Sequence, residues 1–135
     1  MHRHKRILTL EEAKRMAAGA EARAVEEGWP VAIAIVDDGG HLLCLHRLDG
    51  TQLGSIEGAI QKARSAVLFK RPTKSWEERL AEGKIGYLNL PGLVPVEGGI
   101  PVILDNQIVG GIGVSGVRSG EDGLIAQAGL NALLS

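Results

Sequence analysis

The chain is expected to fold as one α/β (α+β) domain, an antiparallel sheet covered by helices, in the order α-β-β-α-α-β-β-α. Three observations predict it. Two pairs of β-branched runs are each joined by a tight turn, apolar residues recur at helical spacing in the segments between and around them, and 135 residues suffice for one core and not two. A domain of this size buries roughly two-thirds of the surface its unfolded chain exposes. Consecutive hairpins imply antiparallel pairing, with the helices laid over the sheet as layers.

Thr9-Leu-Glu-Glu12 has capping-box spacing, with a hydroxyl facing the third helical amide and a glutamate reaching back. Leu10, Ala13, Ala17, Ala20 and Ala24 follow on one helical face, so residues 10–27 are predicted helix, ended by Gly28. The alanine stripe suits close packing on a sheet. Val31 to Val36 reads as a strand and Asp37-Asp38-Gly39-Gly40 as a turn, since aspartate opens turns and glycine accepts positive φ. His41 to Arg47 returns as the second strand. Thr51 is placed as the cap of a helix whose apolar face is Leu53, Ile56, Ile60, Ala63 and Val67, with Pro72 closing it. Ser75-Trp-Glu-Glu78 reads as a second capping box, opening a short helix that ends near Gly83. Residues 84–99 form an ordered loop with an edge strand at Leu93 to Val96. Ile100 to Leu104, the Asp105-Asn106 turn and Gln107 to Val114 make the second hairpin, and Ser119-Gly-Glu-Asp122 starts a helix to about Leu134.

The apolar fraction is 44% but aromatics are only 3%, so Ala, Val, Ile and Leu must build the core. A net charge of −1 offers no basic surface for nucleic acid, which is bound by displacing counterions. The basic run His2 to Arg6 is taken as part of a flexible tail over residues 1–7. Cys44 is the sole cysteine, which excludes an intrachain disulfide. No run approaches the roughly 18 apolar residues that span a bilayer, and Leu10 leads straight into Glu11, Glu12 and Lys14, unlike a secretory leader. The expectation is a cytoplasmic protein without membrane or nucleic-acid partners. Gly111-Ile-Gly-Val-Ser-Gly116 matches a dinucleotide fingerprint, but that motif needs a helix opening inside it and a further parallel strand. Here Val117 to Gly120 intervene before the helix, and the end at Ser135 leaves no room for the further strand. These glycines are read as places where another backbone passes close by.

Several segments, in order, resemble the GlcG/HbpS family, the haem-degrading domain also found at the C-terminus of PduO-type proteins. They are Leu8-Thr-Leu10 with the alanine helix, Val36-Asp-Asp-Gly-Gly40, Arg47-Leu-Asp-Gly50, Lys62-Ala63, Glu97-Gly-Gly-Ile-Pro101, Gly110 to Gly116 and Ala128-Gly-Leu130. The resemblance spans about Leu8 to Leu134. It implies a profilin-like sandwich, a homodimer or larger homo-oligomer, and a small-ligand site near the subunit interface. The ligand it most often implies is haem or another tetrapyrrole. The alternative is a cofactor-free lyase acting on a hydroxylamino-aromatic carboxylate with release of ammonia.

Candidate residues follow, each with a plainer reading beside it. Lys62 lies on a stripe with Ser55, Ala59 and Ala66, where small neighbours leave room for something to approach. Its amine either meets a ligand or acts as a base, or its stem snorkels along the core. Glu97 before Gly98 and Gly99 suits a general acid/base beside amides that converge on an anion, or a solvated turn. Asp37, Arg47 and Asp49 end the first hairpin; arginine there grips a ligand carboxylate or, more plainly, pairs with an aspartate to hold the turn. Ser115 lies ahead of the last helix, whose N-terminus suits an anion, though Glu121 and Asp122 favour simple capping. For haem, His46 and Cys44 share one strand face as candidate axial ligands, with Cys44 otherwise an inert core thiol. No metal-binding cluster is apparent.

Overall fold

The computed structural model describes residues 2–135. Helix α1 (Leu10–Glu27) precedes strands β1 (Ala32–Asp37) and β2 (Leu42–Arg47), then α2 (Gly54–Leu68) and α3 (Lys74–Ala81). A 3-10 turn (Ile85–Asn89) leads to β3 (Gly99–Leu104), β4 (Gln107–Ser115) and α4 (Ser119–Leu134). The predicted order of elements is the observed one. The four strands form one sheet in the order β2-β1-β4-β3, each neighbouring pair antiparallel. The two hairpins therefore lie side by side, joined through β1 and β4. Strand β1 is buried over Ala32 to Val36, as an unbroken apolar run requires. Pro101 sits on the edge strand β3, where a missing amide breaks no ladder.

Helices α1 and α4 cover one face of the sheet and α2 the other, giving three layers. Ile33, Ile35, Ile112 and Val114 meet Ala17, Ala20, Ile125 and Leu133 on the first face. On the second, Ala32 and Ala34 meet Ala59, and Val36 meets Ala63 and Val67. The glycine motif serves this second layer. A Cβ on Gly113 would lie 2.0 Å from the Ala59 carbonyl oxygen, and one on Gly111 would lie 2.7 Å from that of Ala63. Strand β4 thus offers bare backbone for α2 to lie against, the role expected of these residues in place of nucleotide binding.

The first capping box forms as predicted, with Glu12 N donating to Thr9 Oγ1 at 3.1 Å and Thr9 N to Glu12 Oε1 at 3.0 Å. Thr9→Ala removes the acceptor and is expected to lower stability by about 1 kcal/mol, read as a drop of roughly 4 °C in Tm for a domain this size. An unchanged melting curve would mean that the cap contributes nothing. Gly28 ends α1 with φ +75°. The second hairpin turn has Asp105 and Asn106 both at positive φ, the two-residue geometry whose twist matches the strands.

Several expectations are corrected. In α1, Leu10 is exposed and Met16 is fully buried in its place. In α2, Ala63 and Val67 are buried as expected, but Ser55, Ala59, Lys62 and Ala66 are buried as well, while Leu53 is 74% exposed; the bare backbone of Gly111 and Gly113 draws the stripe of mostly small residues inward. Thr51 does not cap α2, because its hydroxyl donates to the carbonyls of Val31 and Leu48. Nor does Ser75 cap α3, which begins at Lys74 after Thr73, whose hydroxyl accepts the Gly99 amide at 2.9 Å. Residues 93–96 join no sheet; the Val94 amide is taken by Ser65 Oγ at 3.0 Å. The segment read as a flexible tail is partly anchored: Lys5 pairs with Asp38, and Arg6 with Glu12 and Asp105. Three of the four aromatics gather beside α3, outside the main core, with Trp76 between Phe69 and Tyr87. No helix among the described residues is long and apolar enough to cross a membrane.

Candidate functional site

Five of the sequence-predicted residues, Arg47 and Asp49 in one and Glu97, Gly98 and Gly99 in the other, line two hollows at one end of the sheet, where β1 and β3 begin and β2 and β4 end. On the β2 side, a groove of about 620 Å³ opens between the end of α1 and the end of β2, lined by Glu21, Val25, Trp29, Pro30, Arg47, Leu48 and Asp49, among others. On the β3 side, a smaller cleft of about 310 Å³ is bounded by Lys74, Glu97, Gly98, Gly99, Leu124 and Gln127, with Pro72, Ile100 and Gly123. No residue lines both.

Lys62 lies just beneath the smaller cleft but does not line it. It is 4% exposed, and its Nζ donates to Asp122 Oδ2 and to the Val114 carbonyl, each at 3.0 Å. The other Asp122 oxygen accepts from Val117 N at 3.1 Å, and the Gly98 carbonyl accepts from Val114 N. This buried ion pair therefore ties α2, the end of β4 and the first turn of α4 together. Gly98 must lack a side chain here, since a Cβ would fall 2.9 Å from Lys62 Nζ and 2.5 Å from the Val114 oxygen.

Burial pushes the Asp122 carboxyl above its ordinary value, while the Lys62 ammonium and the Val117 and Gly116 amides pull the other way. A raised pKa means that the folded state holds the proton more tightly than the unfolded chain does. The contribution of Asp122 to stability therefore falls as pH rises from its ordinary value of 3.8 through the folded one. Relative to Asp122→Asn, the wild type should gain stability as pH is lowered from about 7 toward 4. Urea midpoints across that range check it, and a constant gap would contradict it.

Glu97 is half-buried at the smaller cleft, with its amide donating to Glu77 Oε1 at 3.1 Å. Arg47 and Asp49 share the groove, yet Arg47 forms no ion pair with Asp49 or Asp37 among the described residues. The expected Arg–Asp clamp is absent. Asp37 lies at the far end of the hairpin, where its Oδ1 accepts the Gly39 and His41 amides at 2.9 Å each. Ser115 lines neither hollow and packs against Gly58 of α2. His46 and Cys44 do share a strand face, toward α1. The His46 side chain is 33% exposed and its Nδ1 lies 2.9 Å from Glu21 Oε1, a residue of the groove. Cys44 packs against the main core, and burial pushes its thiol up, away from the thiolate. No cluster of three or more His, Cys, Asp or Glu placed to hold a metal ion occurs among the described residues.

Sequence reasoning missed Asp122 as the partner of Lys62, although a signal was present. Asp122, Ile125, Ala126, Gly129 and Leu133 are the buried residues of α4, so the aspartate sits on an otherwise apolar helical stripe. It also missed Glu21, Trp29, Lys74 and Gln127, which lie on exposed or half-exposed surface and carry no periodic mark.

These features define a class: a three-layer α/β/α protein with an antiparallel sheet and two partly polar-lined hollows at one end of it. The chain belongs to the HbpS-like family, whose model, described as "Haem degrading protein HbpS-like", matches residues 8–131. It is 40% identical over 109 residues to Protein GlcG of Escherichia coli, covering 81% of each chain. It superposes on a double mutant of Streptomyces reticuli HbpS with a TM-score of 0.88 and 36% identity, covering 98% of this chain and 90% of that one. With the PduOC:heme complex the TM-score is 0.85 and the identity 28%, over 94% and 95% of the two chains.

Proposed function

We propose that this protein binds haem or a related tetrapyrrole in the groove between the ends of α1 and β2, with His46 toward the iron and Arg47 toward a propionate. The observation that carries the reading is the 2.9 Å contact between His46 Nδ1 and Glu21 Oε1. A carboxylate on one ring nitrogen fixes the imidazole and leaves the other nitrogen's lone pair for a metal, the support that metal-binding histidines usually have. Partial exposure lets that nitrogen be reached. His46 does not itself line the groove and adjoins it through Glu21, which does. Val25, Trp29, Pro30 and Leu48 form the groove's apolar lining, and the Arg47 guanidinium on the same lining matches a carboxylate in its fork geometry. The likeness to a structure described as a heme complex supports the same choice. When bound, haem would supply redox and gas-ligand chemistry at its iron; the chain would orient it and screen one face from water.

A homodimer or larger assembly belongs to this reading, since Leu53, Ile85 and Leu88 leave more than half of their surface exposed and apolar surface of that kind commonly marks contacts. The rival lyase reading has less support, because the Lys62 amine is engaged by Asp122. The test is a Soret titration with hemin. Wild type should bind one per protomer saturably, Glu21→Gln should weaken binding by about 10-fold, and His46→Ala should lose the shifted band. Equal spectra and affinities for wild type and His46→Ala would overturn the proposal.

A further inference from the structure

The smaller cleft contains one unpaired charge of each sign. The Glu97 carboxylate has no hydrogen bond or ion pair among the described residues, and neither has the Lys74 ammonium. Lys74 is the first residue of α3, where the helix dipole opposes a cation, so its place there is not explained by the helix. Glu97 is seated by a glycine: a Cβ on Gly123 would lie 2.1 Å from Glu97 Oε2. Glycine inside a helix costs about 1 kcal/mol relative to alanine, and Gly123 accepts that cost to let the carboxylate rest on the first turns of α4. Beneath them, Lys62 and Asp122 neutralise one another. The cleft is therefore neutral overall but has its charges apart. Gln127 uses its Nε2 on Asn131, which leaves its Oε1 as an acceptor. Pro72, Ile100 and Leu124 provide an apolar wall. A volume of about 310 Å³ is at the small end of ligand pockets.

We propose that this cleft is a second binding site, separate from the haem groove, for a small zwitterion: an α-amino acid with an aliphatic side chain. Its ammonium meets Glu97 and Gln127 Oε1, its carboxylate meets Lys74, and its side chain lies on Ile100 and Leu124.

The test is isothermal titration calorimetry of the full chain with three compounds: L-leucine, leucinamide (no carboxylate) and 4-methylpentanoate (no ammonium). Leucine should bind saturably, and each analogue at least tenfold more weakly, the loss expected for one charge-assisted hydrogen bond. Glu97→Gln and Lys74→Gln, checked for folding by circular dichroism, should each weaken leucine binding by a similar factor, while hemin binding by Glu97→Gln stays at the wild-type level. Failure of the haem reading alone would leave the leucine result intact. Absence of leucine binding up to about 10 mM would overturn the proposal, as would equal binding of all three compounds by the wild type. Leucinamide binding as tightly as leucine would also overturn it, by showing a site for cations only.

Discussion

Gly113→Ala is expected to abolish the folded state. The added methyl would lie 2.0 Å from the Ala59 carbonyl oxygen and 2.5 Å from the Ala63 amide nitrogen. Both are backbone atoms in the middle of α2, so no side chain can swing aside. The helix must lift off the sheet, exposing Ala59, Ala63 and Val67, and Lys62 must move away from Asp122. Overpacking of an ordinary core position costs about 1–3 kcal/mol. Displacing a whole layer should exceed that and consume most of the roughly 5–15 kcal/mol that holds a domain together. Soluble yield and a urea denaturation curve measure the effect. Gly120→Ala is the control: nothing lies within 4 Å of its added methyl, and it should be neutral or stabilising by up to about 1 kcal/mol. Wild-type-like unfolding of Gly113→Ala would mean that α2 does not dock on bare strand backbone.

Lys62→Met should cost about 3–5 kcal/mol, because it strands an ionised aspartate away from water. Asp122 is 2% exposed, so solvent cannot take over the role of the ammonium. The pair itself is not a large source of stability, since desolvation of two charges offsets most of their attraction. The double variant Lys62→Met/Asp122→Leu should therefore recover much of the loss, and the double-mutant cycle should show strong coupling. Urea midpoints for the four proteins decide the matter. Additive effects would mean that the two groups titrate and solvate independently, against the geometry. The same variants bear on the smaller cleft, because Lys62 lies under Gly98 and Asp122 adjoins Gly123, the seat of Glu97.

Much of the fold was legible because its signals are local. The alanine stripe of α1, the Thr9 capping box and the two turn sequences each act within a few residues, and the order of elements follows from them. What escaped the sequence is decided by distant partners. Thr51 and Thr73 carry cap-forming hydroxyls, yet each is engaged by a loop carbonyl or a strand amide brought near only by the fold. The apolar face assigned to α2 was right at Ala63 and Val67 but shifted toward Ser55, Ala59, Lys62 and Ala66. Leu53 is left exposed and Ile56 and Ile60 half-buried, because two glycines on β4 favour small residues at the closest approach. The pairing of β1 with β4 depends on contacts nearly eighty residues apart. The candidate site was legible as residue types and not as a place. Arg47 and Glu97 occupy different hollows, Asp37 holds a turn at the other end, and Lys62 is sealed beneath one hollow by an aspartate that reads locally as part of a helix start. Gly98 and Gly99 proved informative for a reason unlike the one expected, since the first leaves room for Lys62 and the second gives its amide to Thr73.

The groove beside α1 gains its meaning from Glu21, a residue with no mark in the sequence. In the proposed reading its carboxylate orients His46, while Arg47, the next residue of β2 and without an ion pair among the described residues, lines the groove. A crystal structure of the protein grown with hemin tests this most directly: the account predicts iron bonded to Nε2 of His46, with a propionate on the Arg47 guanidinium. Iron held by Cys44, or a porphyrin lodged at the Glu97 cleft with His46 still turned only to Glu21, would contradict it.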